Sequence, residues 1–302
     1  MKSVKHHFVP KVYLKNFSSP EVEPRHSFWE IDLHTGVATP STPKRSGYLP
    51  HFHTIELQNG MKDQDSLEKT FGLLENQWNG LIEQITQPPE KRPTDLSRSK
   101  WSTFYKFAGL QHARVPKRVE HMERCQTELL GRIFRIAKHS PEFAKMCADS
   151  GMDVEKAKVL NISASHELSL LLSLESSRTA SKLFAQMKWS FLVSDAAFFC
   201  TSDNPIYHDA APSADTRQLP VGLGDKDVEV FFPLTRHICA YGRWSSEKHS
   251  LYVPISRIDV GRINHNTFLK AHRFIYSPLE PDKLQGAHVT LGELLRAASS
   301  TT

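Results

Sequence analysis

Two adjacent histidines near the start of the chain, His6 and His7, are the first residues whose types suggest chemistry. A neutral imidazole can accept a proton from water, and a second imidazole can bind a divalent metal ion. A metal ion in turn stabilises the charge that develops when water attacks a phosphodiester. The pair therefore predicts a base and a ligand for metal-assisted hydrolysis, unless one histidine only satisfies a backbone group where the fold begins.

The step from these histidines into Phe8-Val9-Pro10 resembles the first half of an HNH-type nuclease site. In that site one histidine is the general base and the other contacts the metal. The site also contains an asparagine and a helix that carries a further ligand. Here Tyr13-Leu14-Lys15-Asn16-Phe17 follows, then a predicted hairpin, and no helical His-x-x-x-His. The motif therefore predicts functional histidines but not a complete HNH site.

Two glutamates, Glu68 and Glu75, stand seven residues apart in a segment with helical periodicity. Seven residues make nearly two turns, so both carboxylates point along one line of the helix. This line continues to Ile82 and borders the apolar stripe, where a carboxylate either pairs with a cation or faces a polar cavity. Glu68 also has a structural explanation, because it can form a capping box with Asp65 as the N-cap.

A glutamine and an arginine, Gln111 and Arg114, lie one helical turn apart. Gln111 interrupts an apolar stripe that includes Ala108 and Val115, and a buried amide needs hydrogen-bond partners. Arg114 can hold a carboxylate or a phosphate in a planar fork. The structural interpretation, slightly favoured, is that Arg114 pairs with Glu75 across two packed helices. The functional interpretation is that the pair orients an anionic substrate.

An acidic and an amide side chain, Asp203 and Asn204, follow a short apolar run and precede Pro205. Such residues before proline favour a turn in which the side chain bonds the nearby backbone. Alternatively, a buried strand delivers both to a cleft, where their oxygens suit Mg²⁺ or Mn²⁺. The predicted metal ligands are His7, Glu68, Glu75 and Asp203. The predicted catalytic residues are His6, His7, Glu75, Gln111, Arg114, Asp203 and Asn204.

Three consecutive regions must position these residues. Residues 1–62 are predicted as strand and turn, with a hairpin that turns at His34-Thr35-Gly36. Residues 63–187 are predicted to be helical, because apolar residues recur every three or four positions. The expected helices run from 65 to the prolines at 88 and 89, from 97 to 116, from 116 onwards, and from 163 to 187.

The third region, 188–302, returns to strands. The runs 189–193 and 197–200 are predicted to form one hairpin, and 228–232 and 238–241 a second pair. A loop is expected over 211–224, and helices are expected near 259–271 and 291–298. The sequence thus predicts a single α+β domain over 1–302. Its helical middle region packs against small antiparallel sheets formed by the N-terminal hairpin and the C-terminal strands.

Composition limits the environment and the partners. The net charge of +5 permits a nucleic-acid partner without requiring one. A basic stretch between Lys117 and Lys138 is diluted by glutamates and predicts only weak phosphate contact. The four cysteines form no Cys-x-x-Cys pair, which argues against a zinc ribbon or a disulfide framework and predicts reduced thiols in the cytoplasm. Because no apolar stretch approaches about 20 residues, no membrane partner is expected.

Six segments carry a resemblance to a known family: HHFVPKVYLKNF, FWEIDLHTG, SLEKTFGLLE, FAGLQHARVP, TSDNPI and FFPLTRHICAYG. They resemble, in the same order, a bacterial domain-of-unknown-function family, family 4238. The resemblance covers nearly the whole chain, and the first and fifth segments are the most specific. It implies a shared polar signature of His6, His7, Glu68, Glu75, Gln111, Arg114, Asp203 and Asn204. Because no activity is established for that family, the resemblance implies no mechanism.

Two functional hypotheses remain open. The first is a metal-dependent hydrolase, a nuclease that acts on phosphodiesters with Mg²⁺ or Mn²⁺. The second is a non-enzymatic binding or interaction module for an anionic ligand or a protein partner, in which the same residues form a buried structural network. We prefer the first, because a structural network rarely needs two adjacent histidines, two in-line glutamates and an Asp-Asn step together.

Overall fold

The structure is a computed structural model that describes residues 5–20, 22, 27–56, 60–160, 162–211, 221–247 and 250–284. Its α-helices are Lys11–Leu14 (α1), Ser66–Ile85 (α2), Arg98–Ala113 (α3), Pro116–Ala137 (α4), Pro141–Asp149 (α5), Val154–Lys158 (α6), His166–Gln186 (α7) and Arg257–Lys270 (α8). Its β-strands are Lys5–His7 (β1), Phe28–Asp32 (β2), Ala38–Ser41 (β3), Tyr48–Pro50 (β4), Ile55–Glu56 (β5), Lys62–Asp63 (β6), Lys188–Val193 (β7), Thr201–Ser202 (β8), Tyr207–Ala210 (β9), Val228–Thr235 (β10), Ile238–Arg243 (β11), Tyr252–Pro254 (β12) and Phe274–Ser277 (β13). The α+β class and the helical middle region are confirmed.

Local capping fixes where the long helices begin. Ser97 and Ser165 accept hydrogen bonds from backbone N–H groups three residues on and so cap α3 and α7. Helix α3 begins where the sequence predicts, whereas α7 begins slightly after the predicted position 163. At α2 the predicted capping box is wrong. Asp65 occupies the N-cap, but its side chain makes no capping bond, and the carboxylate of Asp63 accepts from the N–H groups of Asp65 and Ser66 at 3.1 and 3.0 Å. The Glu68 side chain does not form the capping bond either, and its carboxylate instead lies beside Nδ1 of His53.

The N-terminal hairpin shares a sheet with C-terminal strands. The four-stranded sheet has the order β3-β2-β13-β8 and is antiparallel throughout, with Ile31 opposite Ile275. Small antiparallel sheets from the N-terminal hairpin and the C-terminal strands were predicted, and the structure shows in addition that both contribute to one sheet. The connection through β2 also carries the turn at Gly36, whose φ of 70° is a left-handed conformation that glycine adopts without strain.

The larger sheet has five strands in the order β12-β7-β11-β10-β9. The predicted pairing of β10 with β11 is confirmed, with Phe232 opposite Ala240. The predicted hairpin of 189–193 with 197–200 is wrong, because β7 pairs with β11 on one side and in parallel with β12 on the other. Individual bonds hold the second run instead: the N–H of Phe199 donates to the carbonyl of Arg236, and the N–H of Cys200 donates to the side chain of Asn264.

Several further predictions concern the helices and the connections. The short helices α5 and α6 were not predicted, whereas α8 confirms the helix near 259–271. The expected helix 291–298 lies outside the described residues, as does 212–220 of the expected loop. In the described part of the chain, no helix combines the length and the apolar character that crossing a membrane requires.

Aromatic packing joins the helices to the larger sheet. The rings of Trp78 in α2 and Phe107 in α3 stack with centroids 3.8 Å apart, and both lie beside Phe232 of β10. Tyr13 of α1 lies in the same cluster and donates its hydroxyl to the carbonyl of Pro233 at 2.5 Å. This core therefore fixes the N-terminal segment, including β1, relative to α2 and α3.

Candidate functional site

The candidate site lies where β1 and β4 form a two-stranded antiparallel ribbon. His6 of β1 is opposite Leu49, and His7 is opposite Tyr48. After β4 the chain reverses at His51, an exposed residue whose φ of 57° lies in the left-handed region. A positive φ at a non-glycine residue is uncommon and points to a constrained turn. The turn places His53 in the interior, beside the imidazole of His6.

Three side chains converge there: His6, His53 and Glu68 of α2. Their potential ligand atoms all lie within 4.8 Å of one another. The two imidazoles stack with centroids 5.7 Å apart and planes 7° from parallel. Relative exposures are 0% for His6 and 1% for His53, whereas the Glu68 side chain is 25% exposed. The cluster is therefore buried on the histidine side and opens towards solvent on the glutamate side.

Hydrogen bonds fix the orientation of both imidazoles. The backbone N–H of His53 donates to Nδ1 of His6 at 2.8 Å. Nδ1 of His53 lies 2.5 Å from Oε1 of Glu68. Burial lowers the pKa of His53, although Glu68 opposes this shift. The neutral imidazole of His53 then donates its Nδ1 proton to Glu68 and keeps its lone pair on Nε2. That Nε2 atom is buried without a hydrogen-bond partner in the described structure.

The donor set suits a divalent metal ion. Two imidazoles and one carboxylate occur together in catalytic zinc sites, which keep a fourth position open for water. The two imidazoles favour Zn²⁺, whereas Mg²⁺ prefers oxygen ligands; the carboxylate is a ligand that also suits Mn²⁺. Two donors of one ion lie roughly 3.0–3.4 Å apart for bonds of about 2.1 Å. Simultaneous binding through Nδ1 of His53 and Oε1 of Glu68 therefore requires Nδ1 to lose the proton that it donates to Glu68, and the carboxylate to move outwards by about 0.5–1 Å.

His7 points away from this cluster at the end of β1, since side chains alternate along a strand. Its ring lies 5.5 Å from that of Tyr48, and its Nε2 atom is buried without a hydrogen-bond partner in the described part of the chain. Burial, followed by the charge of Lys11, lowers the pKa of His7 to about 4, whereas Glu68 acts to raise it. His7 is therefore neutral at pH 7 and is electrostatically coupled to the cluster.

A buried ion pair braces the same region. Nη1 of Arg114 donates to Oε1 of Glu75 at 2.9 Å, and Nε and Nη2 of Arg114 both donate to Oε1 of Gln111 at 3.1 Å. Gln111 in turn donates to the carbonyl of Phe8 at 2.9 Å. The structural interpretation of Arg114 and Glu75 as a pair across two helices is confirmed. The network ties α2 and α3 to the residue that directly follows His7.

Comparison with known protein families gives a match that spans most of the chain. The model of a family described as "Protein of unknown function (DUF4238)" matches residues 5–278, which include every residue of the cluster and the ion pair. The chain belongs to this family. No curated protein and no solved structure matches the chain. For this DUF4238 member, functional inference therefore depends on the geometry of its own residues.

Asp203 and Asn204 have different partners in the DUF4238 fold. Asp203 is buried, and its two oxygens accept backbone N–H groups from His272, Arg273 and Phe274 at 2.7–2.8 Å. Burial raises the pKa of Asp203, and these three bonds oppose that shift. Asn204 donates to the carbonyl of Lys270 at 2.8 Å. Both side chains therefore secure the connection from α8 to β13, and N–H donors surround the carboxylate where a cation would need to approach.

The structure thus brings together only part of the predicted site. Of the predicted metal ligands His7, Glu68, Glu75 and Asp203, only Glu68 belongs to the cluster, which is the only group with ligand spacing among the described histidine, cysteine and acidic residues. His6, predicted as catalytic, supplies a second member. The sequence reasoning missed His53. The available signal was the His51-Phe52-His53 run, directly after Pro50 and ahead of the helix that carries Glu68.

Proposed function

We propose that this DUF4238 protein is a metal-dependent hydrolase that acts on phosphodiesters, with the metal ion held by His6, His53 and Glu68. The observation that carries the proposal is the convergence of two buried imidazoles and one carboxylate within 4.8 Å. Three protein ligands leave coordination positions for water and substrate. The partly exposed Glu68 side supplies the route by which a substrate reaches the ion.

The arrangement of elements supports a nuclease among such hydrolases. An HNH-type site needs a helix that carries a further ligand beside its paired histidines, and the sequence after His6 and His7 offers none nearby. In the folded chain, α2 supplies that ligand through Glu68, about sixty positions further on, by packing beside the β1–β4 ribbon. The proposed substrate is therefore a nucleic-acid backbone, and the net charge of +5 is compatible with such a partner.

The chemistry assigns a distinct part to each residue. A divalent ion held by His6, His53 and Glu68 would supply a Lewis acid for the phosphoryl group and would lower the pKa of a water molecule bound to it. His6 and His53 supply neutral nitrogen ligands, and Glu68 supplies the charged one. No base role is assigned to His7 in this proposal, because its side chain points away from the cluster and lies beside Tyr48. The ion is Mn²⁺ or Zn²⁺ in this proposal, since two imidazole ligands disfavour Mg²⁺.

The surroundings of the site also support specific assignments. Glu75, Gln111 and Arg114 act as positioning residues in this proposal. The hydrogen bonds that Arg114 donates go to Glu75 and Gln111, so its guanidinium is engaged within the protein. All four cysteines are unpaired in the structure, which supports the cytoplasm as the compartment.

A cleavage assay tests the proposal. Wild type is incubated with single-stranded DNA, double-stranded DNA and RNA in the presence of Mn²⁺, Zn²⁺ or a chelator. The expected result is cleavage of at least one substrate that depends on the metal and falls by about 100-fold or more in Glu68→Gln. The matched control is Glu83→Gln, an exposed position on the same helix, which should retain full activity. Full activity in a folded Glu68→Gln variant would overturn the assignment.

A specific observation also favours the second hypothesis, a non-enzymatic binding module. The polar groups of the cluster already bond one another, through His6 with the backbone of His53 and through His53 with Glu68. A buried structural network has this property. In that case Glu68→Gln lowers the free energy of unfolding by about 1–3 kcal/mol, and no divalent ion raises the melting temperature of the wild type. Stabilisation by Mn²⁺ or Zn²⁺ that Glu68→Gln abolishes supports the hydrolase instead.

A further inference from the structure

A second polar site lies away from the metal-ligand cluster, in a cavity of about 260 Å³. The cavity is open to solvent on one side and is lined by the end of α3, the first turns of α4, β9 and the end of α8. Its lining includes four cations and a group of histidines, among them Lys117, Arg118, Arg124, Lys270, His112 and His208. No aspartate or glutamate is among the described residues that line it, and neither His6, His53 nor Glu68 contributes. The site therefore has a strong positive charge of its own.

Two of the four cations have a structural explanation. Nζ of Lys117 donates to the carbonyls of Lys270 and Ala271 at 2.7 and 3.1 Å, which satisfies the end of α8. Nζ of Lys270 lies 3.7 Å from Asp209, too far for a strong hydrogen bond. Lys270 nevertheless has an acidic partner in Asp209, and Lys117 lies in the field of Asp203, so anion binding in the cavity depends on the remaining lining residues.

Arg118 has no such explanation. Its Nε atom is buried and has no hydrogen-bond partner in the described structure. It also lies in the first turn of α4, which contains no acidic residue. Because the N-terminus of a helix carries a partial positive charge, a cation there is unfavourable unless an anion is bound nearby. The position of the Arg118 guanidinium therefore favours the binding of an anion beside it.

A buried histidine gives a second, independent indication. His112 of α3 is 7% exposed, lines the cavity, and has a buried Nδ1 atom without a hydrogen-bond partner among the described residues. Burial, followed by the charges of Arg118 and His208, lowers the pKa of His112 to about 3. Burial also lowers the pKa of His208, followed by Arg118 and Lys270, although Asp209 opposes this. The lining thus combines cationic side chains with two buried nitrogen atoms, Nε of Arg118 and Nδ1 of His112, that have no hydrogen-bond partner in the described structure.

We propose that this cavity binds the phosphate group of a compact phosphate monoester. A monoester carries a charge of about −1.5 to −2 at pH 7 and three acceptor oxygens, which match the guanidinium, the ammonium groups and the imidazoles. A long polyanion fits less well, because the basic residues of α4 beyond the cavity do not form a continuous track. Arg132, for example, is exposed and bonds Glu128 on its own helix.

Calorimetric titration of the full chain tests this inference with three probes: inorganic phosphate, adenosine 5′-monophosphate, and a single-stranded 12-mer of DNA. We expect one monophosphate per chain, bound more tightly than inorganic phosphate. Arg118→Gln should weaken this binding by at least 10-fold. Arg124→Gln, at an exposed position of the same lining, should also weaken it without risk to the core. Arg132→Gln is the matched control on α4 and should change nothing.

Three results would overturn the inference. The first is the absence of saturable monophosphate binding to folded wild type. The second is an equal loss of binding in Arg132→Gln and Arg124→Gln, which would indicate general charge attraction. The third is binding of the DNA 12-mer alone, which would make the cavity part of a nucleic-acid surface instead.

Discussion

Removal of the Glu75 carboxylate has a large expected effect that follows from the contacts of Arg114. The Arg114 side chain is 1% exposed, and its only ionised hydrogen-bond partner in the described structure is Glu75, at 2.9 Å. Gln111 accepts its other two bonds but carries no charge. Glu75→Ala therefore leaves a buried guanidinium without a counter-ion. Breaking a buried ion pair from one side costs about 3–5 kcal/mol. We expect about 3 kcal/mol, because the 22% exposed Glu75 side chain lets water partly replace the carboxylate.

Urea unfolding of wild type and variants measures this cost as a change in the free energy of unfolding. Glu83→Ala, at an exposed position of the same helix, should change it by less than about 0.5 kcal/mol. Glu75→Gln keeps a hydrogen-bond acceptor and should cost less than Glu75→Ala. The double variant Glu75→Leu, Arg114→Met should be more stable than Glu75→Ala, because it leaves no unpaired charge. If Glu75→Ala is as stable as Glu83→Ala, Glu75 does not compensate the charge of Arg114.

Three further predictions concern stability. An added Cβ at Gly109 lies 2.6 Å from the carbonyl of Ser177, so Gly109→Ala should cost about 1–3 kcal/mol in urea unfolding. An added Cβ at Gly131 has no neighbour within 4 Å, so Gly131→Ala should instead stabilise the protein by about 0.5–1 kcal/mol. An equal cost for both variants would contradict the close approach of α3 and α7. Asp203→Asn should cost about 1–3 kcal/mol in the same assay, because the one remaining oxygen must replace two that accept three N–H groups. The same variant should bind Mn²⁺ as tightly as wild type. Loss of Mn²⁺ binding would show that Asp203 is a ligand. The pKa of His112 is lowered from 6.5 to about 3, so its stabilising contribution is complete above pH 6.5 and is lost as the pH falls towards 3. Between pH 7 and pH 5 the loss is about 2 kcal/mol, and His112→Phe should remove that part of the pH dependence; an unchanged slope in the variant would refute the assignment.

Local patterns predicted most of the fold. Apolar residues at helical spacing located α3 and α7, and the serine at 97 marked the start of α3, because helix periodicity and capping depend on neighbours in sequence. The run 197–200 was predicted wrongly for the same reason. A short apolar run is buried whether it pairs as a strand or is held by separate bonds, such as that from Phe199 to Arg236. Local composition does not distinguish the two.

The candidate site was only partly predictable, because its members meet through long-range packing. The border position of Glu75 beside an apolar stripe pointed to a cationic partner, and Arg114 was a candidate on the next helix. His53 gave no comparable signal. It reaches His6 only because the turn at His51 follows a strand that pairs with β1 across forty intervening residues. Asp203 carried a signal of local turn chemistry, but its actual partners lie about seventy residues away.

Direct titration with Mn²⁺ tests the central claim, that His6, His53 and Glu68 form a metal site. We predict one saturable site per chain in wild type, measured by calorimetry. The affinity should fall by about 100-fold or more in Glu68→Gln and should be unchanged in Glu83→Gln, with both variants folded by circular dichroism. Absence of Mn²⁺ and Zn²⁺ binding by folded wild type, or equal affinity in Glu68→Gln, would contradict the account and leave the cluster as a structural network.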